Sequence, residues 1–152
     1  MRAVLSSGSN MGDARAHLQS VADEFAGEIL AASSIYATAP WGKTDQADFL
    51  NQSLLVDVDE NPRELLARCR NLEQRANRVR EERWGPRTLD VDIVWIEGYT
   101  SDDPELTVPH PRAHLRRFVL EPWYEMDPGA LLNGARIGEL LEGLEDQGVR
   151  KL

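Results

Sequence analysis

The sequence predicts an α+β fold in which two helices pack on one face of an antiparallel sheet. This is the ferredoxin-like βαββαβ arrangement, here with a C-terminal extension. Four segments with apolar or alternating patterns suit strands, and two segments carry helical apolar stripes between them. No internal repeat, low-complexity tract or linker interrupts the 152 residues, so we expect one domain over residues 1–152.

The first half of this order is predicted from residues 3–36. Residues 3–7 suit a first strand, and the glycine-rich residues 8–12 suit a tight turn. Asp13 is predicted to cap a helix that ends at Gly27. The apolar stripe of that helix consists of Ala14, Leu18, Val21, Ala22 and Phe25. Residues 29–36 are predicted to form the second strand.

The second half follows a loop predicted at residues 38–48. Residues 49–58 suit the third strand. A helix then starts at Asn61, with a proline in its first turn and a capping-box glutamate. Its buried stripe is predicted to be Leu65, Cys69, Leu72, Ala76 and Val79. A loop over residues 80–89 leads into the fourth strand at residues 90–96. Residues 97–152 are predicted to add two or three short helices that pack on the sheet.

Composition narrows the classes of function. Hydrophobic residues make up 41% and charged residues 28%, which is ordinary for a globular protein. Because the sequence has a single cysteine, Cys69, it cannot form an internal disulfide, which suits a cytoplasmic protein. We expect Cys69 to pack in the core. A net charge of −9 argues against nucleic-acid binding, and no apolar run suits a membrane span. We therefore expect a cytoplasmic protein that binds small molecules, and we predict a monomer.

The most informative segment is residues 83–92. It places two arginines and a tryptophan on a Gly-Pro turn, followed by Asp90 and Asp92 on an apolar strand. Residues two apart on a strand share a face, about 6.6 Å apart along the backbone, so these carboxylates can converge while Leu89, Val91 and Ile93 face the other side. Two carboxylates can hold Mg²⁺, and nearby arginines can pair with phosphate oxygens. The segment therefore suits the binding of a metal-bound polyphosphate. The alternative is the solvent face of an amphipathic strand.

With these segments in order, the chain resembles the 6-hydroxymethyl-7,8-dihydropterin pyrophosphokinase family. The most specific match is at residues 83–94, where Gly-Pro-Arg and two spacers precede Asp-x-Asp and aliphatic residues. Shorter matches follow the family order at Thr38-x-Pro40, Phe49-Leu50-Asn51, Glu73, Arg78, Val108-Pro109-His110 and Arg116-x-Phe118. The resemblance implies transfer of the β,γ-diphosphate of ATP to the pterin hydroxymethyl oxygen, with release of AMP.

The resemblance also implies roles for individual residues. Asp90 and Asp92 would bind two Mg²⁺ ions, with ATP as co-substrate. The catalytic residues would be Arg78, Arg87, Asp90 and Asp92. The ATP-binding residues would be Glu73, Arg80, Trp84, Arg87, Ile93, Thr107, His110 and Arg116. The pterin-binding residues would be Thr38, Pro40, Trp41, Phe49, Asn51, Asp90 and Phe118.

Some positions depart from the family pattern, and rival interpretations stay open. Pro111 and Glu105 replace a tyrosine and a nucleotide-contacting arginine of some relatives, and the loop at residues 80–83 is one residue shorter. Taken without the resemblance, Phe49 and Phe118 could be plain core residues. The rival functions are a non-catalytic ligand-binding domain and an RNA-binding module on the same fold. RNA binding would need exposed aromatic residues in a basic field, which the acidic composition disfavours.

Overall fold

Strands and helices alternate along most of the chain in the computed structural model, which describes residues 1–10, 12–39, 48–77 and 88–152. The ten described strands are β1 (Arg2–Ser9), β2 (Ile29–Ala32), β3 (Tyr36–Thr38), β4 (Phe49–Asp57), β5 (Asp90–Ile96), β6 (Ser101–Asp103), β7 (Leu106–Val108), β8 (Leu131–Leu132), β9 (Ala135–Arg136) and β10 (Val149–Lys151). The described helices are α1 (Ala14–Glu24), α2 (Pro62–Asn77), α3 (Arg117–Met126) and α4 (Ile137–Glu142), with a 3-10 turn at Ala113–Leu115.

One six-stranded antiparallel sheet organises these elements. Its strands follow the order β10-β3-β4-β1-β5, and β2 also pairs with β4. Strand β1 therefore lies between β4 and β5, with Gly8 opposite Asn51 on one side and Asp90 on the other. The predicted α+β class with an antiparallel sheet is confirmed.

Side chains of alternating direction divide the protein into two hydrophobic cores. Leu5 of β1 belongs to the core that α1 and α2 cover, whereas the adjacent Val4 belongs to the core beneath α3. The core beneath α3 contains Trp123, which is 2% exposed. Helices α3 and α4 thus pack on the second face of the sheet, and the prediction that short helices after residue 96 pack on the sheet is confirmed. Leu106 and Val108 of β7 instead join the first core. Cys69 is buried in the first core, and burial raises the pKa of its thiol to about 12.

Both predicted helix starts are formed by the expected side chains. The Asp13 carboxylate accepts a hydrogen bond from the amide of Ala16 at 3.1 Å. Asn61 and Glu64 form a reciprocal capping box, in which each side chain accepts from the other residue's amide, at 2.9 and 3.1 Å. These bonds satisfy amides that have no partner within the helix.

Several predicted boundaries were wrong. Strand β1 extends through Ser9, so it takes in two residues assigned to the turn at 8–12. The strand predicted at 29–36 is two strands, because Ser33 bonds to Ser53 through both its amide and its hydroxyl and thereby breaks the regular ladder. Thr38 belongs to β3 instead of the following loop.

Other predictions remain open. Val79 lies outside the described residues, as do most of the predicted loops at 38–48 and 80–89. In the part of the chain that the structure describes, no helix has the length and apolarity to cross a membrane.

Candidate active site

Asp90 and Asp92 lie on β5, the strand at one end of the six-stranded sheet. The alternate residues Val91 and Ile93 are buried in the core beneath α1 and α2. The two aspartates therefore point to the other face, where the Asp92 side chain is 45% exposed. Strand geometry thus brings the two carboxylates to one partly open face, as the sequence predicted.

The backbone between these aspartates is held from α2. The amide of Val91 donates a 2.9 Å hydrogen bond to the carboxylate of Glu73. Among the described residues no strand of the sheet lies beyond β5, so this outward amide needs another acceptor. Glu73 supplies that acceptor and fixes the stretch of β5 from which Asp90 and Asp92 project.

His110 approaches Asp92 from the segment after β7. Its Nε2 atom lies 4.0 Å from Asp92 Oδ2, and its Nδ1 atom accepts a hydrogen bond from the Arg112 amide at 3.2 Å. The His110 amide in turn donates to the Val94 carbonyl at 2.9 Å. Because Nδ1 accepts a hydrogen bond, the proton of the neutral ring is on Nε2, the atom that faces Asp92.

Burial lowers the pKa of His110 below its usual range. The negative charge of Asp92 acts in the opposite direction, whereas the positive charges of Arg116 and Arg112 lower the pKa further. The neutral imidazole is therefore favoured near pH 7, so His110 can offer Nε2–H as a hydrogen-bond donor without carrying a charge.

A cavity of about 300 Å³ opens beside the two aspartates. It is lined by Ser6, Gly8, Thr38, Ala39, Phe49, Asn51, Asp90, Asp92, Arg116 and Phe118. Asn51 is 5% exposed, and its side-chain amide donates to the Thr38 hydroxyl at 3.3 Å. This smaller cavity brings together the described residues that the resemblance assigned to the pterin.

Two half-buried aromatic side chains, Phe49 and Phe118, line this smaller cavity. The guanidinium carbon of Arg116 lies 5.5 Å from the Phe118 ring centre, within the range of a cation–π contact. Arg116, assigned to ATP from the sequence, thus lines the smaller cavity. Phe49 and Phe118 are not plain core residues, since both face an opening.

A larger cavity of about 550 Å³ lies on the other side of Asp92. Its lining includes Glu73, Ile93, Thr107 and His110, all assigned to ATP from the sequence. The Thr107 hydroxyl donates to the Asp103 carbonyl at 2.9 Å, which fixes this side chain. Asp92 lines both cavities, so two small molecules bound side by side would meet at its carboxylate.

The sequence analysis missed several lining residues. Ser6 and Gly8 line the smaller cavity from β1, and Arg70 and Gln74 line the larger cavity from α2. Arg70 lies three positions before Glu73 and four before Gln74, so helical spacing could have placed Arg70 beside each of them. Gly8 could be found only from its pairing with β4, which has no local signature.

The remaining assignments lie outside the described residues: Pro40, Trp41, Arg78, Arg80, Trp84 and Arg87. Within the described ranges, no group of three or more histidine, cysteine, aspartate or glutamate side chains is placed to hold a metal ion. Asp90 and Asp92 form a pair of hard oxygen donors on one strand face. Such a pair fits Mg²⁺, which usually takes one or two protein carboxylates and completes its shell with water and substrate phosphates.

Two cavities that meet at one carboxylate define a site for two small molecules. Residues 4–128 match the model of the 7,8-dihydro-6-hydroxymethylpterin-pyrophosphokinase (HPPK) family. The chain belongs to this family.

Curated relatives carry the name 2-amino-4-hydroxy-6-hydroxymethyldihydropteridine pyrophosphokinase. The protein of Mycobacterium tuberculosis H37Rv is 47% identical over 144 residues, covering 88% of this chain and 77% of its own. The protein of Methylorubrum extorquens is 38% identical over 155 residues, which cover 99% of this chain and 98% of the relative. The protein of Bacillus subtilis is 42% identical over 128 residues, which cover 82% of this chain and 77% of the relative.

Solved structures share the fold. Plasmodium falciparum HPPK-DHPS, a triple mutant with pteroate, superposes on 93% of this chain with a TM-score of 0.70 and 14% identity. This chain spans only 42% of that longer protein. At such low identity the likeness concerns the fold alone.

Proposed function

We propose that this chain transfers the diphosphate of ATP to the hydroxymethyl group of 6-hydroxymethyl-7,8-dihydropterin and releases AMP, as a step of folate biosynthesis. Family membership and the names of relatives that match nearly the whole chain support this activity. The observation that carries the proposal is the position of Asp92 between two cavities. The attacking hydroxyl and the reacting phosphate need such a meeting point.

ATP would occupy the larger cavity. Both cavities fall within or at the edge of the roughly 300–1,000 Å³ typical of small-molecule sites, and the larger has room for the bulkier substrate. Glu73 and Thr107 offer polar contacts there, and Ile93 offers an apolar one. The neutral His110 would donate from Nε2 to a phosphate oxygen.

The pterin would occupy the smaller cavity. A flat bicyclic heteroaromatic ring is best held by stacking together with hydrogen bonds along its edge. Phe49 and Phe118 supply aromatic faces, whereas Asn51 supplies a donor and an acceptor on one side chain. Thr38 is already bonded to Asn51 and would hold that side chain in place.

Asp90 and Asp92 would hold two Mg²⁺ ions. When bound, such ions neutralise phosphate charge and stabilise the attacking and leaving oxygens of an in-line displacement. The pterin hydroxyl oxygen would attack the β-phosphorus as the bond between the β-phosphorus and the α,β-bridging oxygen breaks. The hydroxyl proton leaves to solvent, and AMP departs. Positioning and electrostatics dominate such a reaction, so no protein nucleophile is required.

Several further assignments accompany this proposal. Arg78, Arg80 and Arg87 would steady the triphosphate, and Trp84 would lie against the nucleotide. We also propose that the strand order β3-β4-β1-β5, with α1 and α2 on one face, is the ferredoxin-like arrangement, within one pyrophosphokinase domain. Monomeric state and cytoplasmic location remain predictions from the sequence.

The rival functions are disfavoured on specific grounds. A non-catalytic ligand-binding domain would have no use for a pair of carboxylates of which one, Asp92, lines two cavities. An RNA-binding module would need aromatic residues in a positive field, but the protein has a net charge of −9.

The nucleotide products provide the test. The purified chain would be incubated with ATP, Mg²⁺ and the pterin, and the nucleotides would be separated at intervals. AMP should appear one-for-one with a pterin diphosphate ester. ADP with a pterin monophosphate ester would overturn the proposed function, because it would place the attack on the γ-phosphorus.

A further inference from the structure

Strand β10 lies beside the smaller cavity and beyond residue 128, where the match to the family model ends. It pairs antiparallel with β3, so that Val149 lies opposite Thr38 and Lys151 opposite Tyr36. Without β10, β3 would be the outer strand of the sheet. Since Thr38 lines the smaller cavity, β10 supports one wall of that cavity from behind.

The same strand is also fastened to the next wall. The Arg150 guanidinium forms an ion pair with the carboxylate of Asp48. Asp48 immediately precedes Phe49, which lines the smaller cavity at the start of β4. Arg150 thus connects the aromatic wall of β4 to the strand that backs β3.

A third attachment reaches α3. The Lys151 ammonium lies 2.9 Å from the carboxylate of Glu125, which also accepts from the Ser34 amide at 2.8 Å and from the Tyr36 hydroxyl at 3.1 Å. Helix α3 carries Phe118 on the cavity wall near its start. Three consecutive residues of β10 therefore connect the three walls of the smaller cavity that β3, β4 and α3 form.

We propose that β10 is a positioning element for the pterin substrate, which fixes the spacing between the Phe49 and Phe118 walls without touching the ring. The inference rests on the proposed function, because it takes the smaller cavity as the pterin site. Among the described residues, none that pairs with β10 lines the larger cavity. Loss of β10 should therefore weaken pterin binding and leave ATP binding unchanged.

The size of the effect follows from the kind of contact. Arg150 and Asp48 are both partly exposed, and such pairs contribute little individually. Arg150→Ala should weaken pterin binding by about three- to fivefold, the upper range for one exposed ion pair. Deletion of residues 149–152 removes the ladder and both ion pairs together, so it should weaken pterin binding by at least about tenfold.

The experiment compares binding by calorimetry at a temperature where every variant is folded. Wild type, Arg150→Ala and the deletion would each be titrated with the pterin and, separately, with a non-hydrolysable ATP analogue and Mg²⁺. The charge-swapped double variant Asp48→Arg with Arg150→Asp should recover most of the pterin affinity. Arg136→Ala is the matched control, because Arg136 is an exposed residue of β9 that forms no ion pair within the described ranges.

The outcomes separate the two proposals. Weaker pterin binding with unchanged analogue binding, and recovery in the charge swap, supports positioning by β10. Equal losses for both ligands, or a lowered melting temperature with unchanged pterin affinity in Arg150→Ala, overturns it in favour of general stabilisation. A wild-type protein that binds no pterin, either alone or with the ATP analogue and Mg²⁺ present, overturns the proposed function, and the assignment of β10 to the pterin with it. If the deletion variant does not fold, the Arg150→Ala and charge-swap arms still decide.

Discussion

Asn51 occupies the space that a side chain on Gly8 would need. A Cβ atom built on Gly8 would lie 2.7 Å from Asn51 Oδ1, closer than real Cβ contacts allow. The two residues are paired across β1 and β4, and Gly8 is also paired with Asp90 of β5. Because Gly8 has no side chain, Asn51 can lie over β1 close to Asp90.

Gly8→Ala should displace the Asn51 amide from the pterin cavity. We expect pterin binding to weaken by about tenfold, because a buried polar group that loses its alignment costs about 1–3 kcal/mol. The affinity for an ATP analogue should stay unchanged, as Gly8 does not line the larger cavity. Gly129→Ala is the control, since a Cβ there meets nothing nearer than 3.8 Å. Unchanged pterin affinity in Gly8→Ala would contradict the role of Asn51.

Features of the fold that depend on neighbouring residues were predictable from the sequence. Features that depend on the pairing of distant strands were not. Asp13 and Asn61 indicate where helices start, because a capping side chain bonds to amides only two or three residues away. Asp90 and Asp92 share a face because strand periodicity fixes it. The closeness of Gly8 and Asn51 depends on the register between two strands far apart in sequence, which no local pattern encodes.

The same distinction explains the tail of the chain. Short helices after residue 96 were predicted from the sequence, but β10 was not. Its three residues have no strong strand pattern, and its pairing with β3 depends on partners about 110 residues earlier in the sequence. The separate positions of the two cavities likewise follow from how α2 and α3 cover opposite faces of the sheet.

The paired carboxylates of β5 provide a second prediction. Asp90→Asn and Asp92→Asn should each lower kcat/KM by a factor of about a hundred or more, because each removes a metal ligand from a phosphoryl-transfer site. Melting temperatures should fall little, since the strand and its pairing remain. Asp102→Asn, an exposed carboxylate of β6, is the control and should keep full activity. Near-normal turnover of both site variants at saturating Mg²⁺ would refute the metal assignment.

Glu73 allows a test of positioning through the backbone. Its carboxylate accepts the Val91 amide at 2.9 Å, between the two aspartates. Glu73→Ala should reduce kcat and destabilise the fold by about 1–3 kcal/mol, because it leaves that amide without its acceptor. Glu73→Gln retains an acceptor oxygen and should recover most of the stability. Equal free energies of unfolding for wild type and Glu73→Ala would show that this bond does not hold the strand.

The carboxylate of Glu125 provides a prediction about pH. Burial alone would raise its pKa, but hydrogen bonds from Lys151, Ser34 and Tyr36 prevail and lower it from 4.5 to about 2. The unfolded chain therefore takes up the proton first as the pH falls, and the stabilisation from ionised Glu125 is fully present only above about pH 4.5. It should decline as the pH approaches 2.

The pH dependence should appear in the comparison of wild type with Glu125→Gln, which cannot ionise. The difference in free energy of unfolding, measured by urea denaturation, should be constant above pH 5 and should narrow steadily as the pH is lowered towards 3. Water screens this partly open site, so the gain should be smaller than the pKa shift alone implies. Glu142→Gln on α4 controls for loss of one negative charge. A Glu125→Gln difference that stays the same from pH 6 to pH 3 would show that the bonds to Ser34, Tyr36 and Lys151 do not depend on the ionised carboxylate.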